Sequence, residues 1–429
     1  MTPLQRRPRV PPVTLPALLA LAPALALAAC GAGDRPGSAP VVRDSAGITI
    51  VENSAPTWHP GEEWTVVAEP EVEIGVLDGE APYQLYRVAG AVRLSDGRIV
   101  IANGGSNELR YFAPDGRHVR SVGREGDGPG EFRFIGRILR LPGDSVLVSN
   151  LMPPRHSLFD EQGTFVRTVD PAGGMSDGAA PPLALLAGLR APPVAGRLAN
   201  GTFVAQASIE SGGPPNGLSR PPTVVLLIAP GSGVADTIAR LPGTERDIRI
   251  RQQDGRIAGV EMRQVLFGRS SHLAVAADRI YAGANDTYEI GVYVPGAGLT
   301  RLIRRTRPNR PLTQAIIDEV RRRNLENAQD ENTRRAIERQ FAEATFPETM
   351  PAYADLEADA AGRLWVKDYV VGGEENRWDV FEPDGRWLGT VVLPRGFNPT
   401  EIGEDYVLGI VRDDLGVELV RVHRIEKGG

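Results

Sequence analysis

The sequence predicts an all-β fold: six four-stranded sheets in a closed array, interrupted once by a short helical insertion between the fourth and the fifth. Three observations predict it. Short runs rich in β-branched residues alternate with tight turns of the Asp-Gly kind along most of the chain. A glycine-rich stretch at residues 119–132, V-R-S-V-G-R-E-G-D-G-P-G-E-F, joins two such runs, and its layout is met again at residues 74–85. A helical period replaces the strand period at residues 312–346.

In chain order, the first thirty residues read as an export address. Arg6, Arg7 and Arg9 precede an apolar run at residues 13–29 that is short and broken by Pro16 and Pro23, unlike a stable membrane span. It ends Leu27-Ala28-Ala29-Cys30, which resembles the lipobox at which bacterial lipoproteins are cleaved and the new terminal cysteine is acylated. Cys30 is the only cysteine, so once it is acylated no thiol remains for a disulfide, an iron–sulfur cluster or a cysteine zinc site. Residues 31–45 are small, polar and proline-containing, the composition of a flexible tether with a reach of roughly 20 Å. Three segments are expected: residues 1–29 as signal peptide, 30–46 as lipidated cysteine and tether, and 47–427 as the folded body.

The chain has 54 acidic and 48 basic residues, and losing the three signal arginines takes its formal charge from −6 to −9. This mildly acidic body argues against nucleic acid and gives no pull towards anionic lipid, so membrane contact is expected through the anchor only.

Residues 63–75 hold Trp64-Thr65-Val66-Val67 and Val72-Glu73-Ile74-Gly75, strands without a hairpin partner of their own. In the stretch that follows, Gly75 matches Gly123, Pro82 matches Pro129 and Leu85 matches Phe132. A strand that ends in the crossing of a complete unit, yet comes first in the chain, is suited to completing the C-terminal sheet and leaving no open edge. The first complete unit spans residues 89–122, with turns at Ser95-Asp96-Gly97 and Pro114-Asp115-Gly116 and a polar break at residues 103–107. Further units fall at residues 136–169, 194–241, 273–303, 354–393 and 399–425, the last with only three good strands.

On these residues the chain resembles the six-bladed β-propellers of the NHL-repeat type, in particular bacterial propeller lipoproteins. Their blades read strand, Asp-Gly turn, strand, Asp or Asn break, strand ending in Phe, Asp-Gly turn, strand, and then G-x-x-G-x-G-P-G-E-F. The resemblance covers residues 47–427, and Gly128-Pro129-Gly130-Glu131-Phe132 is its most specific piece. The glycine-rich loop reads as a structural crossing and not a phosphate cradle, because the strand-like F-R-F-I-G-R-I-L-R-L follows it where a cradle needs a helix. Between the fourth and fifth units, Thr313 is placed to cap a helix carrying Ile316, Ile317 and Val320, and Asp330 a second carrying Ile337 and Phe341. Their apolar stripes are narrow, as for a helical pair lying on the propeller.

The Asp-Gly turns are short and share one face, whereas the insertions at residues 170–193, 207–222, 243–267 and 369–376 and the helical pair share the other. Loops on a rigid scaffold carry function, so the elaborated face is the expected binding face. Its candidates at the strand breaks are Asn103, Asn150, Asp286, Asp368 and Arg412, with Arg155, His156 and Tyr369 beside them. The crossing adds Arg124, Glu125 and Asp127, and the first helix adds Arg321 and Arg322. Some six-bladed lactonases and amidating lyases hold Ca2+ or Zn2+ axially, which offers Asn103, Asn150 and Asp368 as an alternative ligand set. Few break residues are acidic and the histidines at 59, 118, 156, 272 and 423 are scattered, so no cofactor is expected on the main reading. No G-x-S-x-G elbow occurs; Gly268-Arg269-Ser270-Ser271-His272 lacks the second glycine. The expected protein is a monomeric scaffold of the cell envelope, lipid-anchored on the periplasmic or surface side of the outer membrane because Gly31 is not acidic. It would bind an envelope protein, peptide or glycan; the alternative is a propeller hydrolase or lyase with an axial Ca or Zn.

Overall fold

The computed structural model describes residues 39–151, 154–169, 194–209, 216–229, 235–253, 256–371 and 373–428. The expected signal peptide, Cys30 and the insertion at 170–193 lie outside the described residues. The described residues open with a hairpin of β1 (Val41–Ser45) and β2 (Ile48–Asn53), then β3 (Thr65–Val66) and β4 (Val72–Ile74). The first sheet is β5 (Val88–Arg93), β6 (Ile99–Asn103), β7 (Glu108–Phe112) and β8 (His118–Val122); the second is β9 (Ile135–Arg140), β10 (Val146–Leu151), β11 (Pro154–Phe159) and β12 (Phe165–Val169). In the third, β13 (Val194–Arg197) and β14 (Phe203–Ser208) begin the sheet, β15 (Gly217–Ser219) leaves it, and β16 (Thr223–Ile228) and β17 (Ala235–Leu241) complete it. The departing β15 joins β18 (Arg246–Gln253) and β19 (Arg256–Gln264) in an inserted three-stranded sheet.

The fourth sheet is β20 (Ser271–Val275), β21 (Ile280–Ala284), β22 (Glu289–Val294) and β23 (Gly298–Arg305), followed by α1 (Gln314–Glu326) and α2 (Glu331–Glu343). The fifth is β24 (Asp355–Ala358), β25 (Leu364–Lys367), β26 (Asn376–Phe381) and β27 (Trp387–Leu393); the sixth is β28 (Asn398–Ile402), β29 (Tyr406–Arg412) and β30 (Glu418–Glu426). The architecture is thus mostly β and propeller-like, a succession of antiparallel meanders. Among the described residues no helix is long and apolar enough to cross a membrane.

Local chemistry explains the meanders. In the turn after β5 the Asp96 carboxylate accepts from Arg98 N at 3.0 Å, and Asp115 accepts from Arg117 N at 3.1 Å in the turn after β7. The following glycines, Gly97 and Gly116, stand at φ of 86° and 84°, which a residue with a Cβ resists. The apolar residues between turns then stack sheet on sheet. Val92, Val100 and Tyr111 of the first sheet pack with Val146, Val148 and Phe159 of the second. Leu147 and Val169 meet Val194 and Phe203, Val204 and Val225 meet Ile280, Tyr288 and Ile303 meet Leu356 and Phe381, and Trp365 and Val391 meet Phe397 and Val407. Leu408, Val420 and Val422 of the sixth sheet pack in turn on Ala91, Ile101 and Phe112 of the first.

The N-terminal segment runs along three sheets in succession. β2 lies parallel to β23 with Ile50 opposite Leu302, Thr57 N and Trp58 N donate to the carbonyls of Trp387 and Leu388 at 3.0 and 2.9 Å, and β3 and β4 pair antiparallel with β30. The sixth sheet therefore receives its fourth place from the start of the chain. Two readings of the sequence are corrected. Residues 41–45, expected as tether, form β1, because Val41-Val42-Arg43 finds a partner in β2 that composition alone does not reveal. Residues 246–264, expected as loop, form β18 and β19; their alternation is dominated by arginines, which hides the strand period. The helical pair matches its expected caps: Thr313 Oγ1 accepts from Ile316 N at 3.4 Å, and Asp330 accepts from Asn332 N and Thr333 N at 2.8 and 2.9 Å.

Candidate functional site

Breaks and crossings gather at one end of the sheets, and the inserted elements are fused there. Phe267, just after β19, packs with Ile317 of α1, Phe341 of α2, Met350 and Val371, and Ile316, Val320, Ile337 and Tyr369 flank them. Arg263 of β19 ion-pairs with Glu343 of α2 and with Glu261 at 3.0 Å. Beside this cluster lies a cavity of about 450 Å³ lined by Arg307, Asn309, Arg310, Pro351, Asp368, Tyr369 and Glu374. Arg307 ion-pairs with Asp368 and donates to the Ala352 carbonyl at 3.2 Å, while Arg310 meets Glu374 at 2.6 Å. Burial works against the Arg307 charge, and the Asp368 carboxylate outweighs it and holds the guanidinium above its usual range.

Beneath the cavity a buried network joins the fourth and fifth sheets. Asp379 accepts from Tyr288 Oη and Thr390 Oγ1, both at 2.7 Å, and pairs with Arg305 at 2.5 Å. Arg305 also lies 3.6 Å from the Trp387 ring centroid. On the other flank Arg220 holds Asp286 with two bonds of 2.7 Å and donates Nε–H to the Gly243 carbonyl at 2.7 Å. The Arg220 guanidinium keeps the Asp286 carboxyl below its ordinary range.

The glycine-rich crossing is folded around one carboxylate. Glu131 accepts from Gly128 N at 2.8 Å and from Arg124 Nε at 2.7 Å, and those two donors hold its carboxyl below the usual range. Arg155 donates to the carbonyls of Asp127, Gly128 and Glu131, at 2.6, 3.2 and 2.5 Å, which fixes the loop from the second sheet. Asp127 pairs with Arg133, and exposed Glu125 sits in an isolated bridge with Phe132. Arg155 and Arg124 are thus loop clamps. The related first crossing has its own clamp, Arg110, which donates to the Pro82 and Gln84 carbonyls at 3.0 and 2.7 Å.

The strand-break asparagines brace backbone. Asn103 Oδ1 accepts from Tyr86 N at 2.9 Å, and Asn150 Oδ1 accepts from Arg133 N and Phe134 N at 3.1 and 3.2 Å. The fourth sheet uses Asn285 in the same way, taking Ser270 N at 2.7 Å and donating to the Tyr353 carbonyl at 2.9 Å. The alternative ligand set does not fit a divalent ion, because both amide oxygens already accept backbone N–H groups and Asp368 is taken by Arg307. Among the described residues no group of three or more His, Cys, Asp or Glu stands together in a way that would hold a metal. His156 is buried with Nδ1 3.0 Å from Ser149 Oγ, so it does not present itself at the surface as expected. Arg412 ion-pairs at 2.6 Å with Glu418, which also accepts from Val88 N at 2.7 Å and so joins the sixth sheet to the first.

By their contacts the expected site residues fall into separate groups. Tyr369 packs with the helical pair, Asp368 is held by Arg307 at the neighbouring cavity and Asp286 by Arg220, whereas Arg124, Asp127 and Arg155 belong to the crossing and Asn103 and Arg412 to structural joints. Arg322 is paired within α1 to Glu319 and Glu326 at 2.8 and 2.5 Å, and Arg321 is exposed. Sequence reasoning missed Arg220, Arg307 and Arg310. Each directly precedes a proline, but no spacing in the sequence ties these arginines to a common site.

No family model matches the chain, and no curated protein does. Among solved structures, an exported protein of Bacteroides fragilis is 11% identical, over 89% of this chain and 100% of that one, with a TM-score of 0.45. A duf4221 family member from Bacteroides vulgatus is 11% identical over 86% and 99%, TM-score 0.48. A gluconolactonase from Xanthomonas campestris is 11% identical over 79% and 87%, TM-score 0.39. None of these likenesses lends a residue role to this chain.

Proposed function

We propose that this chain is a closed six-bladed propeller of the bacterial cell envelope, anchored through an acylated Cys30, that binds an envelope protein through its loop-rich face. The observation that carries this reading is the fusion of two inserted elements, one on either side of the fourth sheet in sequence, into one packed platform at the same end of the sheets. The platform also leaves Leu218 and Val260 of the inserted sheet 64% and 51% exposed beside charged helices, the mixed surface that protein partners use. Packing of the sixth sheet on the first supports ring closure.

Val41 pairs with Glu52, which lies opposite Arg304 near the end of β23. The test is co-purification from envelopes with the Arg321→Glu and Leu218→Asp variants, against Arg117→Glu on the turn face. Loss of partner in the first two at unchanged melting temperature supports the reading, whereas equal recovery in all three contradicts it.

A further inference from the structure

The opposite face, where the short turns lie, holds a second and larger cavity. Its volume is about 850 Å³, within the range of small-molecule sites, and its walls come from β5, β9, β20, β24 and β28, the first strands of five sheets. Most of its charged groups are already used. Arg140 donates to the Arg93 carbonyl at 2.8 Å, Glu401 accepts from Arg93 N at 3.0 Å and from Tyr406 Oη, and Asp359 accepts from Trp365 Nε1 at 3.1 Å. Two groups on the wall stand apart: among the described residues neither the Arg137 guanidinium nor the Glu357 carboxyl has a hydrogen bond or an ion pair, although the Arg137 charge reaches the Glu357 carboxyl. Burial pushes the Glu357 carboxyl up to about 7, with Arg137 opposing that rise.

An unpartnered carboxyl set deep in a cavity with an unpartnered guanidinium asks for a ligand that carries both complementary charges. The rim decides against a ligand with one. Exposed Glu404 and Asp405 repel a simple anion, and Arg137 repels a simple cation. Ile138, Val275 and Ala358 give the wall apolar patches for the body of such a molecule. We propose that this cavity binds a small zwitterion, an amino acid or short peptide held by its two ends, with Arg137 taking the carboxylate and Glu357 the ammonium. The site lies away from the loop-rich platform, and its ligand is independent of the partner bound there.

The experiment is calorimetric titration of the full chain in detergent with trialanine, N-acetyl-trialanine and trialanine amide. Trialanine should bind, and blocking either end should weaken it about tenfold or more, the loss of one charged contact. Arg137→Gln should erase the preference over the amide, and Glu357→Gln the preference over the acetylated peptide. If either variant fails to fold, the three-peptide comparison on the parent chain decides alone. No binding of trialanine up to about 10 mM, equal binding of the three peptides, or preferences that survive in both folded variants would overturn the proposal.

Discussion

Gly130 shows how much structure one residue of the crossing carries. Its φ is 74°, and a Cβ there would come 3.2 Å from Phe165 Cβ. Gly130→Val is expected to cost about 1–3 kcal/mol in chemical denaturation, through strain and overpacking, with partner binding per folded molecule unchanged. Glu357 gives a pH-dependent counterpart. Its carboxyl rises from 4.5 to about 7 in the fold, chiefly through burial, with Arg137 and Lys367 opposing and Asp355, itself beside His272, assisting. The folded state therefore holds the proton more tightly, and the stability it contributes is full below about pH 4.5 and lost as pH rises through about 7. Glu357→Gln should melt with the parent at pH 5 and above it at pH 8; a variant equal to the parent at pH 8 would refute this. Residue roles were the least legible part of the sequence. Asn103 and Asn150 could be read as turn-type residues, but at the fourth break the brace is Asn285 and the chosen residue was Asp286, a slip of one position that changes which way a side chain faces. Arg155 and Arg124 looked like binding residues because their partners, three carbonyls and one internal carboxylate, are set by a loop shape that no spacing rule encodes.

Among the elements, the meanders were legible because turn chemistry and period-2 patterning agree, and the helices because Thr313 and Asp330 cap apolar stripes of helical period. The inserted sheet was not: a strand made of R-D-I-R-I-R-Q-Q buries little and reveals itself only through β15 and α2. Nor was the path of the N-terminal segment, since a parallel strand added to β23 depends on a partner some 250 positions away. Deleting residues 41–58 removes that strand, the bonds to Trp387 and Leu388, and Trp58, which lies against Gly389. Thermal melting of this deletion should fall well below that of the parent, with the exposed edge of β23 favouring aggregation. A monomeric deletion with an unchanged melting temperature would show that the segment is an ornament.

At the scale of the whole molecule, the succession of sheets presents a turn face and a loop face. The turn face holds a cavity shaped by five first strands, and the loop face holds the platform. Cys30→Ser is expected to release the protein from the membrane fraction, since on the proposed reading the acyl chains on Cys30 are its hold on the bilayer. EDTA is expected to leave the melting temperature unchanged, because the oxygens of Asn103, Asn150 and Asp368 are already engaged. The most direct test of the central claim is photocrosslinking in the native envelope, with a photoreactive residue at position 321 on α1 or at position 117 in the turn after β7. Adducts to one discrete envelope protein from position 321, and none from position 117, are the predicted result; adducts from position 117 alone, or from neither position, would contradict the assignment of the loop-rich face as the binding face.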